Sequence, residues 1–213
     1  LADELRSKVR SILKVSSDKV MLCFSHCHSA PNIDDSEEYF KMVCEKIVIA
    51  VQRAEVDMHL VLVGWDNAKV TIGVNRRENN TKLDQRAGIL KVCGLDKEER
   101  KLLLVRVTAH CNVLKRDNYL ISPDYFGNIR ELLQEKFGCP VMVVQGSAGN
   151  IAPKYFCSEE TPIDARGEQY IRSDTALEDM AADVYEKLSQ RIALIEVADK
   201  SEIDMYSREM SLY

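Results

Sequence analysis

The heptapeptide Ser25-His26-Cys27-His28-Ser29-Ala30-Pro31 is central to the chain because it follows an apolar run and leads into a turn. The apolar residues 19–24 are typical of a buried strand, and Pro followed by Asn at 31–32 is typical of a turn. Side chains two residues apart on an extended backbone point to the same face. His26 and His28 could therefore bind one ion or one substrate, although one packed and one solvated histidine explains the pattern equally well.

The composition is that of a folded protein with a substantial core. The chain has 213 residues, of which 46% are hydrophobic and 30% are charged, and its formal net charge is −5. This length favours one domain, and the negative charge argues against a nucleic-acid surface. No apolar run is long enough to cross a bilayer and no signal peptide is visible, so we expect no transmembrane segment. The sequence leaves the oligomeric state open.

The seven cysteines indicate a reducing environment. Their number is odd, no Cys-x-x-Cys pair occurs, and several lie in apolar runs where free thiols pack as small hydrophobic groups. We therefore predict a cytoplasmic protein without a disulfide framework. Cys27 and Cys111 each adjoin a histidine and could be soft metal ligands, although adjacent residues on a strand point to opposite faces.

The remaining apolar pattern alternates between helical and strand periods, which predicts an α/β fold with a layered mixed sheet flanked by helices. Several strands should be parallel because helices connect them, and the strands at 87–93 and 101–108 should form an antiparallel hairpin. His59 falls in an apolar strand, where we expect a core or edge residue. We predict helices over residues 1–15, 34–54, 122–137 and 167–192, and further strands over 58–64, 69–74, 140–144, 193–197 and 203–212.

Polar groups follow several of these strands. Arg76 and Arg77 come after the strand at 69–74; such a pair is usually solvated, but a guanidinium aimed into a cleft binds a carboxylate or an oxyanion. The strand at 101–108 leads to His110, a second case of an imidazole at the end of a buried strand. The glycine-rich loop 145–153 follows another strand, and loops in this position bind ligands in open sheets.

Four stretches together resemble motifs of the neutral/alkaline non-lysosomal ceramidases. Residues 25–31 resemble the family's Thr-His-Thr-His-Ser-Gly-Pro, and residues 74–77 (Val-Asn-Arg-Arg) resemble its Asn-Arg-Ser segment. Residues 108–112 (Thr-Ala-His-Cys-Asn) are similar to Ala-Thr-His-Pro, and residues 149–153 (Gly-Asn-Ile-Ala-Pro) are similar to Gly-Asn-Leu-Ser-Pro. The motifs occur in the family's order, and the resemblance extends over residues 19–195.

The resemblance implies a hydrolase in which a zinc ion activates water to cleave an amide or ester of a small-molecule or lipid-like acyl substrate. It implies His26 and His110 as zinc ligands, with His28 and Arg76 beside the scissile carbonyl. Asn150 either donates a hydrogen bond to an oxyanion or only shapes its turn. The resemblance also implies one ceramidase-like domain over residues 1–213, incomplete at one or both ends.

The chain departs from the family at Ala152, which occupies the position of the family's serine. The family's other zinc ligands, a glutamate and a tyrosine, lie further downstream and match no segment here. Two alternatives therefore stay open: a catalytically silent ligand-binding protein, and a structural domain whose histidines are incidental. We predict that any hydrolysis uses metal-activated water and does not need Ser147. Around a zinc ion, the nitrogens of His26 and His110 should lie within ~3–4 Å of each other.

Overall fold

The computed structural model of the protein describes residues 2–32, 36–77, 80–114, 118–154 and 174–198. The described residues form two compact units. The first unit contains residues 2–23 and 31–60, and the second contains residues 24–30 and 61–198. Each unit has its own cluster of buried apolar side chains. The expectation of one ceramidase-like domain over the whole chain stays a prediction.

The first unit is a pair of helices, α1 (Ala2–Leu13) and α2 (Glu37–Val56), as the sequence predicted. They pack through the buried side chains of Leu5, Val9 and Cys44. The Ser36 hydroxyl caps α2 by accepting a hydrogen bond from the Tyr39 amide, 3.2 Å away, and two glutamates follow at the positive end of the helix dipole. No helix in the described residues is long and apolar enough to span a membrane.

The predicted strand at residues 19–24 is wrong. A 3-10 turn (Ser17–Lys19) begins this region, and the following residues are assigned to no strand. Val20 and Leu22 pack against the apolar cluster of α1 and α2, whereas Met21 is exposed. An alternating apolar run becomes a strand only if a neighbouring strand completes its hydrogen bonds, and here the apolar side chains pack on helices instead.

The second unit contains two sheets and two helices. The larger sheet has the order β1-β3-β4-β5, and the smaller one pairs β2 with β6. In chain order the elements are β1 (Leu62–Lys69), β2 (Gly73–Asn75), β3 (Arg86–Cys93), β4 (Arg100–Val107), α3 (Tyr125–Phe137), β5 (Val141–Gln145), β6 (Ile151–Pro153) and α4 (Asp174–Leu194).

The larger sheet is mixed, which confirms the predicted fold class. β3 and β4 form the predicted antiparallel hairpin, and β1 pairs antiparallel with β3. The expectation of several parallel strands is wrong, because β4 and β5 are the one parallel pair in the described part of the chain. These two strands are also neighbours joined through a helix, α3, which is the connection that a parallel pair requires.

The helices α3 and α4 pack against each other and against the larger sheet. Ile129 and Leu133 of α3 and Val184 and Leu188 of α4 are fully buried in the same cluster as the strand residue Val105. The helix α3 ends at a glycine cap: Gly138 adopts a left-handed conformation, with φ of +64°, directly after the last helical residue.

The ends of several predicted elements differ from the structure. β1 begins only at Leu62, so His59 lies before the strand and is exposed; its Nδ1 atom is 2.7 Å from the carbonyl oxygen of Asp57. The predicted strand at 193–197 is wrong, since α4 continues to Leu194 and a single bridge joins Val63 to Ala198. Residues 167–173 and the predicted strand at 203–212 lie outside the described residues.

The small sheet determines which loops meet at the edge of the second unit. β2 and β6 are antiparallel, with Val74 opposite Ala152. The main-chain amide of His110, after the end of β4, donates to the carbonyl oxygen of Ile151 in β6 at 2.9 Å. The segment that carries His110 is therefore hydrogen-bonded to β6, which in turn is paired with the strand before Arg76.

Candidate metal centre

Three imidazole rings converge in the second unit. The ring centroids of His26 and His110 are 4.9 Å apart, those of His26 and His28 are 5.1 Å apart, and those of His28 and His110 are 5.7 Å apart. One nitrogen from each ring can be chosen so that all three lie within 4.8 Å of one another. Around a bound zinc ion, such nitrogens would lie ~3–4 Å apart.

The loop that carries two of these rings has an unusual backbone. His26 has a φ of +53°, in the left-handed region that residues other than glycine rarely adopt. Such conformations persist where surrounding contacts hold them, and they are concentrated at functional sites. Two such contacts are made by the residues directly after His26. The amide of His28 donates to the Cys111 carbonyl at 3.0 Å, and the main-chain carbonyl of the buried Ser29 accepts from the Ser122 amide at 2.9 Å.

The third ring, that of His110, is buried and has a defined orientation. Its Nδ1 atom is 2.6 Å from the carbonyl oxygen of Ala148 and 3.3 Å from that of Ile151. Since a carbonyl oxygen only accepts, Nδ1 carries the proton and donates it. The lone pair is then on Nε2, which is the tautomer needed to bind a metal through that atom.

Two side chains support the backbone next to His110. The carbonyl oxygen of Ala109 accepts hydrogen bonds from the Tyr125 hydroxyl at 2.7 Å and from Nε2 of Gln145 at 2.9 Å. The same region requires a glycine at 146, because a Cβ there would collide with the Thr108 hydroxyl. Sequence reasoning did not single out Tyr125 or Gln145; the one available signal was that Gln145 begins the loop predicted to contact ligands.

The electrostatic surroundings favour neutral imidazoles. Burial lowers the pKa of His110 below its usual value of 6.5, and the charges of Arg76 and His26 act in the same direction. The pKa of His28 is lowered by partial burial and then by the charges of His26, His110 and Arg76. A metal ion binds imidazole only in the neutral form, so these shifts favour metal binding near neutral pH.

Arg76 and Asn150 lie together through main-chain contacts. The Arg76 guanidinium donates through Nη2 to the Gly149 carbonyl at 2.7 Å, and its amide donates to the Asn150 carbonyl at 2.9 Å. Arg76 is exposed and Asn150 is half-buried.

Ala152 is buried within β6, whereas Ser147 is exposed in the loop before it. The catalytic roles assigned to Arg76, His28 and Asn150 remain proposals.

Two thiols lie beside the histidines. The influence of the Cys111 thiol lowers the pKa of Cys27 to about 7, and the Cys27 thiol together with burial raises the pKa of Cys111. Sγ of Cys27 is also 3.1 Å from the Ser122 carbonyl, and Sγ of Cys111 is 3.6 Å from the Pro123 carbonyl. In the described residues, the candidate ligand group contains the three imidazoles and no thiol. Cys27 or Cys111 as a soft ligand therefore gains no support.

The fold is similar to that of known ceramidases. Neutral ceramidase from Pseudomonas aeruginosa superposes with a TM-score of 0.65 at 17% sequence identity, over 87% of this chain and 34% of that one. A ceramidase complexed with C2 gives a TM-score of 0.66 at 18% identity, with the same coverage. No protein-family model and no curated protein sequence matches the chain. The shared fold is thus established, and the chain spans about a third of the length of these structures.

Proposed function

We propose that this chain carries the histidine part of the metal centre of a hydrolase that cleaves an amide or ester bond. The observation that carries the proposal is the convergence of His26, His28 and His110 within 4.8 Å, on a fold similar to that of neutral ceramidase. Hydrolysis of acyl compounds is a common use of an imidazole-bound metal that keeps one coordination position open.

Zinc is the metal that fits these side chains best. Three neutral imidazoles form a donor set found in catalytic zinc sites, and the Nδ1 hydrogen bonds of His110 are typical of a zinc-binding histidine. His26 and His110 would hold the ion, and His28 is the candidate third ligand. When bound, zinc polarises an acyl carbonyl and lowers the pKa of water to about 7.

The neighbouring side chains have distinct roles in the proposal. Arg76 binds the carbonyl or carboxylate oxygen of the substrate, since its guanidinium is exposed and its Nη2 atom is oriented by the Gly149 carbonyl. Asn150 either donates to the developing oxyanion or shapes the turn beside Arg76. His28 has two candidate roles, as a third ligand or as the group that donates or accepts a proton at the leaving atom.

The substrate class proposed is a small-molecule or lipid-like acyl compound. This follows from the two similar structures, both of which are ceramidases by name. The net charge of −5 gives no support to a nucleic-acid substrate.

The proposed hydrolysis does not use a serine nucleophile. Ala152 provides a methyl group where the resembling family has a serine, and this methyl group is buried in β6. Ser147 is nearby in the sequence but exposed. A positioned acid–base group contributes about 10²–10⁴-fold to the rate, so that loss is expected on removing the His28 imidazole if it transfers the proton.

The test is hydrolysis of a panel of N-acyl and ester substrates by the zinc-loaded protein. We expect His26→Gly to abolish turnover; glycine retains the left-handed backbone at this position, so the loss would report on the imidazole. Ser147→Ala should keep the wild-type rate. A folded Ser147→Ala variant that is inactive, or an acyl-enzyme trapped on any serine, would contradict the metal-dependent mechanism.

A ligand-binding protein without catalytic activity is the second candidate, and Ala152 is the observation that favours it. Such a protein would bind zinc and an N-acyl compound but would not hydrolyse any member of the panel. His28→Gln separates the two roles of His28, because loss of zinc indicates a ligand and loss of turnover with zinc retained indicates a proton-transfer group.

A further inference from the structure

The pair of thiols next to the imidazoles has no role in the proposed hydrolysis. Cys27 lies between His26 and His28 in the sequence, and Cys111 directly follows His110. The backbones of the two segments are joined where the His28 amide donates to the Cys111 carbonyl at 3.0 Å. The two thiols also contact consecutive carbonyl groups, since Sγ of Cys27 is 3.1 Å from the Ser122 oxygen and Sγ of Cys111 is 3.6 Å from the Pro123 oxygen.

Both thiols occupy positions where the chain departs from the motifs that it resembles. The ceramidase motifs have threonine in place of Cys27 and proline in place of Cys111. Neither of those residues can form a covalent bond between the segments, whereas two neighbouring cysteines can. The two departures meet in space, although 83 residues lie between them in the sequence (111 − 27 − 1).

Cys27 is accessible to a small oxidant, and the other thiol is not. Cys27 is half-buried and lines a cavity of about 320 Å³ together with Ser25, Phe126 and Met142. Cys111 is fully buried behind it. Cys93 and Cys139 are both buried, so neither offers the same access.

We propose that Cys27 and Cys111 are a site of reversible oxidation, at which a hydroperoxide produces an intramolecular disulfide. The Cys27 sulfur attacks the hydroperoxide, the O–O bond breaks, and a sulfenic acid forms with release of water or an alcohol. The Cys111 sulfur then attacks the Cys27 sulfur, the S–O bond breaks and the S–S bond forms. The sulfenic oxygen leaves as a second water, and the two electrons lost by the thiols have reduced the peroxide.

The bond would fix the histidine loop to the segment that carries His110. It closes a long loop, which removes conformational freedom from the unfolded chain. We therefore expect the melting temperature to rise by about 5–10 °C on oxidation and to return to its initial value after reduction with dithiothreitol.

The experiment is treatment of the protein with hydrogen peroxide, followed by thiol blocking, non-reducing digestion and mass spectrometry. We expect one cross-linked species, a peptide pair joining Cys27 to Cys111, and the loss of two of the seven thiols. Cys23→Ser should retain the cross-link and the rise in melting temperature, because Cys23 is exposed and belongs to the other unit.

Cys27→Ser is the decisive variant, because it replaces only the sulfur of a half-buried side chain that packs against the core. It should lose both the cross-link and the temperature rise. The proposal is overturned if Cys27 is oxidised to a sulfinic acid without a cross-link, if it pairs with Cys23, or if its thiol survives treatment unchanged.

Discussion

The Nδ1 atom of His110 lies 2.6 Å from the carbonyl oxygen of Ala148, and this contact decides which ring nitrogen is left for a metal. Replacing His110 by alanine removes the ligand and also the donor to a buried carbonyl. The Ala148 carbonyl also accepts from the Ile151 amide at 2.9 Å, so the substitution removes one of its two hydrogen bonds, and His110→Ala should lower the free energy of unfolding by about 0.5–1.5 kcal/mol even without metal. Urea denaturation of the metal-free protein measures it.

His59→Ala is the matched control for this prediction. The His59 ring is exposed and lies outside the three-histidine group, so its removal should change the free energy of unfolding by less than about 0.5 kcal/mol. Equal effects of the two substitutions would mean that the contact between His110 and Ala148 adds nothing to stability.

Two glycines in one loop should respond differently to a methyl group. A Cβ at Gly146 would collide with the Thr108 hydroxyl and lie 3.1 Å from the Val107 carbonyl, whereas a Cβ at Gly149 would have no atom within 4 Å. We expect Gly146→Ala to cost about 1–3 kcal/mol of stability, because the end of β4 must move, and Gly149→Ala to be close to neutral. Thermal denaturation of both variants tests this, and a neutral Gly146→Ala would contradict it.

The histidine cluster should make stability depend on pH. The pKa values of His28 and His110 are lowered in the folded state, so the unfolded chain binds their protons at a higher pH than the folded chain does. The free energy of unfolding of the metal-free protein should therefore fall as the pH decreases through 6.5 towards the folded-state pKa values. His110→Gln should reduce the slope between pH 7 and about 5.5, and His59→Gln should preserve it. A wild-type stability that rises over this range would contradict the assignment.

Arg76 contributes to these pKa shifts through its positive charge. In Arg76→Gln, the pKa values of His28 and His110 should move upwards, which NMR titration of the metal-free protein detects. Arg77→Gln is the matched control, since Arg77 is the adjacent exposed arginine and does not contribute to either shift. Equal responses to the two substitutions would show that Arg76 is not beside the imidazoles.

Elements with a strong local signal could be predicted from the sequence. The β3–β4 hairpin, the capped helix α3 and the strand β5 each have a clear apolar period and a turn residue at the end, such as Gly138. The run at residues 19–24 had an equally apolar pattern and was predicted wrongly. The conformation of this run depends on the packing of Val20 and Leu22 against α1 and α2, and a local sequence pattern contains no information on such tertiary contacts.

The approach of His26 to His110 was predictable because both follow apolar runs within motifs in family order. The backbone geometry that brings His28 to the other two rings was not, since it depends on the left-handed conformation of His26 and on the hydrogen bond from the His28 amide to the Cys111 carbonyl. The support of the Ala109 carbonyl by Tyr125 likewise joins residues whose sequence positions give no sign of contact.

The most direct test of the account is the zinc content of protein purified without chelator or affinity tag, measured by plasma mass spectrometry. The account predicts about one zinc ion per chain in the wild type and almost none in folded His26→Gly and His110→Ala, with His59→Ala unchanged. A wild-type protein that binds no zinc even after dialysis against the ion, or variants that retain it in full, would contradict the metal centre.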